Sequence, residues 1–182
     1  QYILPYYNFD RQFFTEFDKG FFNFTSSGSN DLNNTNNLKT RVINDFNFQS
    51  LDLMTDKGFK NNYNIYVKNL NTTAKNDIQY KSSPQVELMS ILELNSSLPM
   101  INENKNNVNY LTPKISFRYN PSDMKNYSDA DRKISVNNIF EINRLGIDDS
   151  LEEGKSLTMG IDFKKVNLVN INKFFEAKLA TV

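Results

Sequence analysis

Between Tyr110 and Tyr119, and again between Gly154 and Phe163, apolar and polar residues alternate one by one. Leu111, Pro113, Ile115, Phe117 and Tyr119 fall on one parity, and Thr112, Lys114, Ser116 and Arg118 on the other. Leu157, Met159, Ile161 and Phe163 alternate in the same way with Ser156, Thr158, Gly160 and Asp162. A period of two puts successive side chains on opposite faces of an extended chain, so each stretch predicts a strand with one apolar and one polar face. Leu111, Ile115 and Phe117 are therefore expected opposite Lys114, Ser116 and Arg118, with 154–163 paired antiparallel to a neighbour.

The rest of the chain follows the same rule less cleanly. Tyr2–Phe9 is aromatic-rich, Asp18-Lys19-Gly20 is a turn signal, and Phe22 and Phe24 alternate with Asn23 and Thr25, which predicts a hairpin with a second strand from Gly20 or Phe21. Ser26 to Asn37 holds almost nothing apolar and predicts a solvated loop. A strand is expected over 39–55; Val42, Phe46 and Phe48 share one parity and Leu51 and Leu53 the other, which predicts a bulge near Gln49 and Ser50. After the turn Asp56-Lys57-Gly58, Tyr63, Ile65 and Val67 oppose Asn62, Asn64 and Lys68 in a further strand. Asn71–Ser83 reads as a loop. Val86, Leu88, Leu92 and Leu94 then share a face, with Met89 and Ile91 making the other partly apolar. Pro99 ends that strand, Ile101–Asn109 reads as a loop, Ser122 is placed to cap a helical turn, and Phe174–Thr181 predicts a last strand. The sum is eight or nine antiparallel strands, with long connections at one rim and tight turns at the other, as in an outer-membrane barrel.

Composition narrows the chemistry. The chain of 182 residues contains no Cys, His or Trp. Thiol catalysis, a Ser-His-Asp relay, the usual zinc sites and a disulfide framework are excluded, so no enzyme activity and no cofactor are expected. With 21 basic and 21 acidic residues the formal net charge is zero, and no global field draws the chain to nucleic acid. No window approaches the ~20 apolar residues of a membrane helix, whereas barrel strands of ~9–11 alternating residues keep mean hydropathy low. The value of −0.59 suits a barrel and a soluble loop-rich protein alike.

The run from Asn138 to Gly160, Asn-Ile-Phe-Glu-Ile-Asn-Arg-Leu-Gly-Ile-Asp-Asp-Ser-Leu-Glu-Glu-Gly-Lys-Ser-Leu-Thr-Met-Gly, resembles the signature of the lipopolysaccharide-assembly outer-membrane protein family, also called organic solvent tolerance proteins. Leu111-Thr-Pro-Lys-Ile115 and Asn120-Pro-Ser-Asp123 resemble the strand and loop that precede it; the likeness is best over 84–163 and covers part of that family's long chain. The resemblance implies an all-β fold, a segment of an antiparallel transmembrane β-barrel in the bacterial outer membrane, with 1–182 as one piece without an internal domain boundary. It implies assembly and insertion of lipopolysaccharide into the outer leaflet. The implied partners are lipopolysaccharide, membrane lipid, an outer-membrane lipoprotein that plugs the barrel and a periplasmic bridge protein. It assigns Phe140, Asn143, Arg144, Gly146, Asp149, Glu152 and Gly154 a structural role at a strand junction. A generic porin or receptor barrel, and a soluble β-sandwich that binds carbohydrate or protein, are the alternative readings.

Candidate sites carry competing readings. Asp148, Asp149, Glu152 and Glu153 beside Arg144 suit a metal or acid/base site and equally a salt-bridged loop; the loop is favoured because nothing nearby supplies a nucleophile. The Asn-x-Ser/Thr matches at Asn23, Asn33, Asn71, Asn95 and Asn126 are expected by chance in so Asn-rich a chain. The Tyr and Phe residues suit interfacial girdles better than a carbohydrate platform. Lys114, Arg118 and Asp162 are lumen-facing candidates, since Lys or Arg on a lipid face near the midplane costs about 2–4 kcal/mol. Starting at Gln1 and stopping at Val182 within an apparent strand, the chain reads as a piece of a larger barrel, expected to form an open curved sheet with an uncovered outward face.

Overall fold

Eight long strands lie side by side in one antiparallel sheet, and two short ones are added to it. The computed structural model describes residues 2–15, 20–33, 36–124 and 133–182. In chain order the strands are β1 (Tyr2–Thr15), β2 (Gly20–Asn33), β3 (Asn37–Ser50), β4 (Leu53–Met54), β5 (Lys60–Lys75), β6 (Gln85–Ser97), β7 (Met100–Glu103), β8 (Asn107–Asn120), β9 (Gly154–Asn167) and β10 (Phe174–Thr181). The spatial order is β1-β2-β3-β5-β6-β8-β9-β10, with β4 on β5 and β7 on β8. The protein is all-β, without a helix among the described residues, and the sheet is not closed into a barrel. The long strands run to 13–16 residues over β5, β6 and β8, well beyond the usual five or six.

The alternation of the central strands is borne out. From Ile115 to Asn120 exposed and buried residues alternate without a break, with Ile115, Phe117 and Tyr119 out and Ser116, Arg118 and Asn120 in. Residues 154–163 belong to β9, which pairs antiparallel with both β8 and β10. Register carries the pattern across the sheet. Phe48 lies opposite Ile65, Ile65 opposite Leu92, Tyr63 opposite Leu94, Leu94 opposite Phe117, and Phe117 opposite Leu157. One continuous apolar face results, with Phe24–Phe46 and Phe48–Tyr63 ring contacts extending it over β2 and β3. The charged pairs Lys68–Asp45 and Lys114–Asp162 stand on the opposite face.

Several expected loops are strand. Ser26–Asn33 continues β2 and pairs with β1 on one side and β3 on the other. Polar side chains suffice there because the sheet satisfies the backbone and the side chains bond laterally: Ser26 Oγ donates to Asn44 Oδ1 at 2.7 Å, and Asn44 Nδ2 to Asn69 Oδ1 at 3.1 Å. For the same reason Asn71–Lys75 extends β5, with only 76–84 connecting to β6. Val108 and Asn109 are β8, and Met100–Glu103 folds back on them as β7. The strand expected over 39–55 ends at Ser50, and Leu53–Met54 starts anew as β4; Ser50 Oγ, which accepts from the Tyr63 N–H at 2.9 Å, marks the break. The turn after it closes as expected, with Gly58 at φ +83 and its N–H donating to the Thr55 carbonyl at 2.9 Å.

The rims do not divide into long and short connections. Among the described residues, one rim carries 51–59, 98–106 and 168–173; the other carries 76–84, 121–124 and 133–153. The turn residues Asp18 and Lys19, the sequon Asn126, and most of a helical turn from Ser122 lie outside the described residues. The small core sits on the polar face, where Ile43, Leu70, Met89 and Ile91 of four neighbouring strand positions meet Leu151. Ile91 is only 1% exposed. Ile91→Val should therefore cost about 0.5–1.5 kcal/mol, read as a shift in the urea midpoint of the refolded chain.

Candidate functional site

The latter part of the long connection, residues 133–153, lies across the polar face of the sheet. Its own backbone hydrogen bonds close turns within it: Ile139 N–H to the Ser135 carbonyl at 2.9 Å, Glu141 N–H to Asn138 at 2.9 Å and Gly146 N–H to Asn143 at 3.0 Å. Gly146 takes φ +60, the left-handed region that favours glycine. Asn143 Nδ2 donates to the Ile147 carbonyl at 2.9 Å and fixes the same turn. The apolar side of the segment, Ile139, Ile147 and Leu151, is buried. This explains why Met89 and Ile91 interrupt an otherwise polar strand face.

At its centre Glu152 is clasped by two guanidiniums. Arg144 Nε and Nη2 donate to Glu152 Oε2 and Oε1, both at 2.6 Å, in the bidentate geometry that suits a carboxylate. Arg118 of β8 donates from Nη1 to Oε2 at 3.1 Å. Arg144 Nη1 reaches Thr158 Oγ1 of β9 at 3.4 Å, and Asn120 Nδ2 donates to the Glu152 carbonyl at 2.8 Å. The guanidinium side chains are 6% and 3% exposed, so the ion pairs are screened little by water. Burial works against charge on Glu152, but the hydrogen bonds and charges of Arg144 and Arg118 outweigh it and hold the carboxyl below its usual range.

A carboxylate with a lowered folded pKa stabilises the fold above its ordinary value, about 4.3, and loses that contribution as pH falls through the folded value. The seating of 133–153 should thus be insensitive to this group from pH 7 to 5 and weaken below about pH 4. Amide exchange of the segment against pH checks it, and Glu152→Gln should remove that acid dependence.

The other motif residues also have contacts. Phe140 packs over Gly160 so closely that a Cβ there would lie 2.8 Å from the ring, and the Lys114 ammonium stands 4.2 Å from the ring centroid. Lys114 is meanwhile paired to Asp162 at 2.8 Å, so Lys114, Arg118 and Asp162 share the polar face. Asp149, 5% exposed, accepts from the Tyr80 hydroxyl and from Gln79 Nε2. Gly154 starts β9 at φ +92. Of the acidic cluster, Glu152 is ion-paired, Asp149 hydrogen-bonded, and Glu153 accepts from the Met124 N–H at 2.7 Å. No group of three or more Asp and Glu is placed to hold a metal among the described residues. These contacts support the salt-bridged loop.

Two cavities flank the segment. One of about 840 Å³ is lined by Tyr6, Arg41, Tyr66 and Lys68 of the sheet with Asn143 and Asp148 of the segment. The other, about 370 Å³, is lined by Asn47, Asn64, Glu93 and Lys114 with Phe140 and Ile142. Lys68 is legible in the sequence on the polar parity of its strand; Tyr66 and Glu93 are not singled out there, and the polar interruptions they make on one strand parity are the available signal. Compared with protein-family models and with curated proteins, the chain matches none.

Proposed function

We propose that this chain is part of the wall of a β-barrel in the bacterial outer membrane, and that the barrel takes part in assembling and inserting lipopolysaccharide into the outer leaflet. The observation that carries the first half is the inverted polarity of the sheet. Ile115, Phe117, Leu157, Met159 and Ile161 are between 38% and 48% exposed, while Arg118, Glu93, Lys68 and Thr158 are buried. A sheet in water puts its apolar face inward; a wall facing hydrocarbon does the reverse, with a hydrated lumen behind it. Strands of 13–16 residues exceed the ~9–11 that cross a bilayer.

Lipopolysaccharide as the cargo rests on the resemblance of the Asn138–Gly160 run, supported by the way Phe140, Arg144, Asp149 and Glu152 seat the segment, with Asn143 and Gly146 shaping its turn and Gly154 beginning β9. In this reading the barrel is a conduit without catalysis, its lipoprotein plug and periplasmic bridge acting as partners. The polar face offers the anionic head of the lipid a hydrated path, and the apolar face meets membrane lipid.

Two arms of one experiment separate the halves of the proposal. A photoreactive side chain at Asp162, on the polar face, should cross-link to lipopolysaccharide in vesicles that contain it. The same group at Met159, on the apolar face, should cross-link to acyl chains of any lipid. Cross-links at Met159 with none at Asp162 would remove the cargo and leave a generic barrel wall. No lipid cross-link at either, with a monodisperse chain in water, would replace both by a soluble sheet protein.

A further inference from the structure

Residues 133–153 contribute to the lining of both polar-face cavities: Asn143 and Asp148 border the larger, Phe140 and Ile142 the smaller. Side-chain contacts hold the segment down, among them the clasp of Glu152 by Arg144 and Arg118, the Asp149 contact to Tyr80 and Gln79, the Phe140 ring over Gly160, and Leu151 on Ile43, Leu70, Met89 and Ile91. The sheet beneath is held differently. β8 pairs along its length with β9, and β5 with β3 and β6. A unit fixed by side chains on a surface fixed by a continuous backbone ladder can open without unzipping the ladder, which is how proteins divide into regions of unequal local stability.

We propose that 133–153 is a displaceable plug: it opens as one unit while the sheet stays intact, the Arg144–Glu152–Arg118 clasp is its latch, and opening joins the two cavities into one path along the polar face. The seat it leaves is mixed, with Ile43, Leu70, Met89 and Ile91 flanked by Arg118, Lys68 and Glu93. This inference does not depend on the apolar face meeting lipid, because it concerns the other face.

The test is native-state amide exchange of the full chain, resolved by peptide, in two chemically unrelated variants. Glu152→Gln weakens the latch and Leu151→Ala empties part of the apolar seat. Each should speed exchange throughout 139–151, by at least tenfold, while peptides from β5, β6 and β8 change less than threefold. Acceleration confined to the few amides beside each substitution would overturn the proposal, since the segment would then lack unity. Equal acceleration of the segment and the strands would overturn it as well, since plug and wall would then open together. Should one variant fail to fold, the other still decides between these outcomes.

Discussion

Replacing Glu152 by alanine is expected to cost about 3 kcal/mol in the free energy that seats 133–153 on the sheet, near the lower end of the 3–5 kcal/mol typical of breaking a buried pair. Glu152 itself is 24% exposed, which places the effect at that end, but both its partners are almost wholly enclosed. Removing the carboxylate leaves Arg118 and Arg144 as like charges facing one another with their anion gone. Two donors of Arg118, Nε and Nη2, already lack a hydrogen-bond partner among the described residues, so that side chain has little to fall back on. The penalty is thus for stranding the guanidiniums more than for losing an attraction. It follows that replacing all three at once, as Arg118→Met with Arg144→Met and Glu152→Leu, should recover most of the loss, because an apolar trio of similar volume avoids the desolvation of three charges. Amide exchange of the segment measures both. A Glu152→Ala effect below 1 kcal/mol would show that the clasp contributes only as a surface ion pair does.

The second large effect is on the other face. Ile115 is the middle one of the five apolar positions Leu111, Pro113, Ile115, Phe117 and Tyr119, so in a bilayer it stands well inside the hydrocarbon. Ile115→Arg should cost about 2–4 kcal/mol for the chain folded into vesicles, and substitutions nearer the rim, such as Tyr119→Arg, about 0–1 kcal/mol. Against water the same two substitutions should each stay within about 0.5 kcal/mol. The depth dependence is the informative part, since a merely bulky side chain in a packed contact would not follow position along the strand. Equilibrium unfolding from vesicles gives the comparison.

These two faces differ in how far the sequence revealed them. The alternation in 111–119 and 157–163 is a local pattern, and it defined β8, β9 and their two faces because each residue's side is set by its own parity. Composition misled at Ser26–Asn33 and Asn71–Lys75. Polar residues there read as loop, yet the strands continue because their backbone groups pair with neighbouring strands, on both sides over most of Ser26–Leu32 and at Asn71 and Thr72, and on β3 alone over Thr73–Lys75, while side chains bond to one another along the sheet. That support comes from neighbouring strands and is invisible in a window of one. The partly apolar parity of Met89 and Ile91 was visible, but its reason, Leu151, lies about sixty positions away. The clasp is of the same kind: Arg144 and Glu152 are close in sequence, whereas Arg118 joins them only through the register of β8 against β9. That the motif run folds a segment over the polar face was not legible in the sequence.

A barrel wall requires the apolar face to meet hydrocarbon, and the chain's lack of tryptophan allows a direct measurement. Asn47 and Phe48 are consecutive in β3 and stand on opposite faces: Asn47 lines the smaller polar cavity and Phe48 contacts Tyr63 in the apolar face. Single-tryptophan variants Phe48→Trp and Asn47→Trp, each refolded into vesicles with bromine on the mid-acyl carbons, report which face the lipid touches. Emission at 48 should be blue-shifted and strongly quenched, with little quenching at 47. Equal quenching at both positions, or none at either, would contradict a barrel wall.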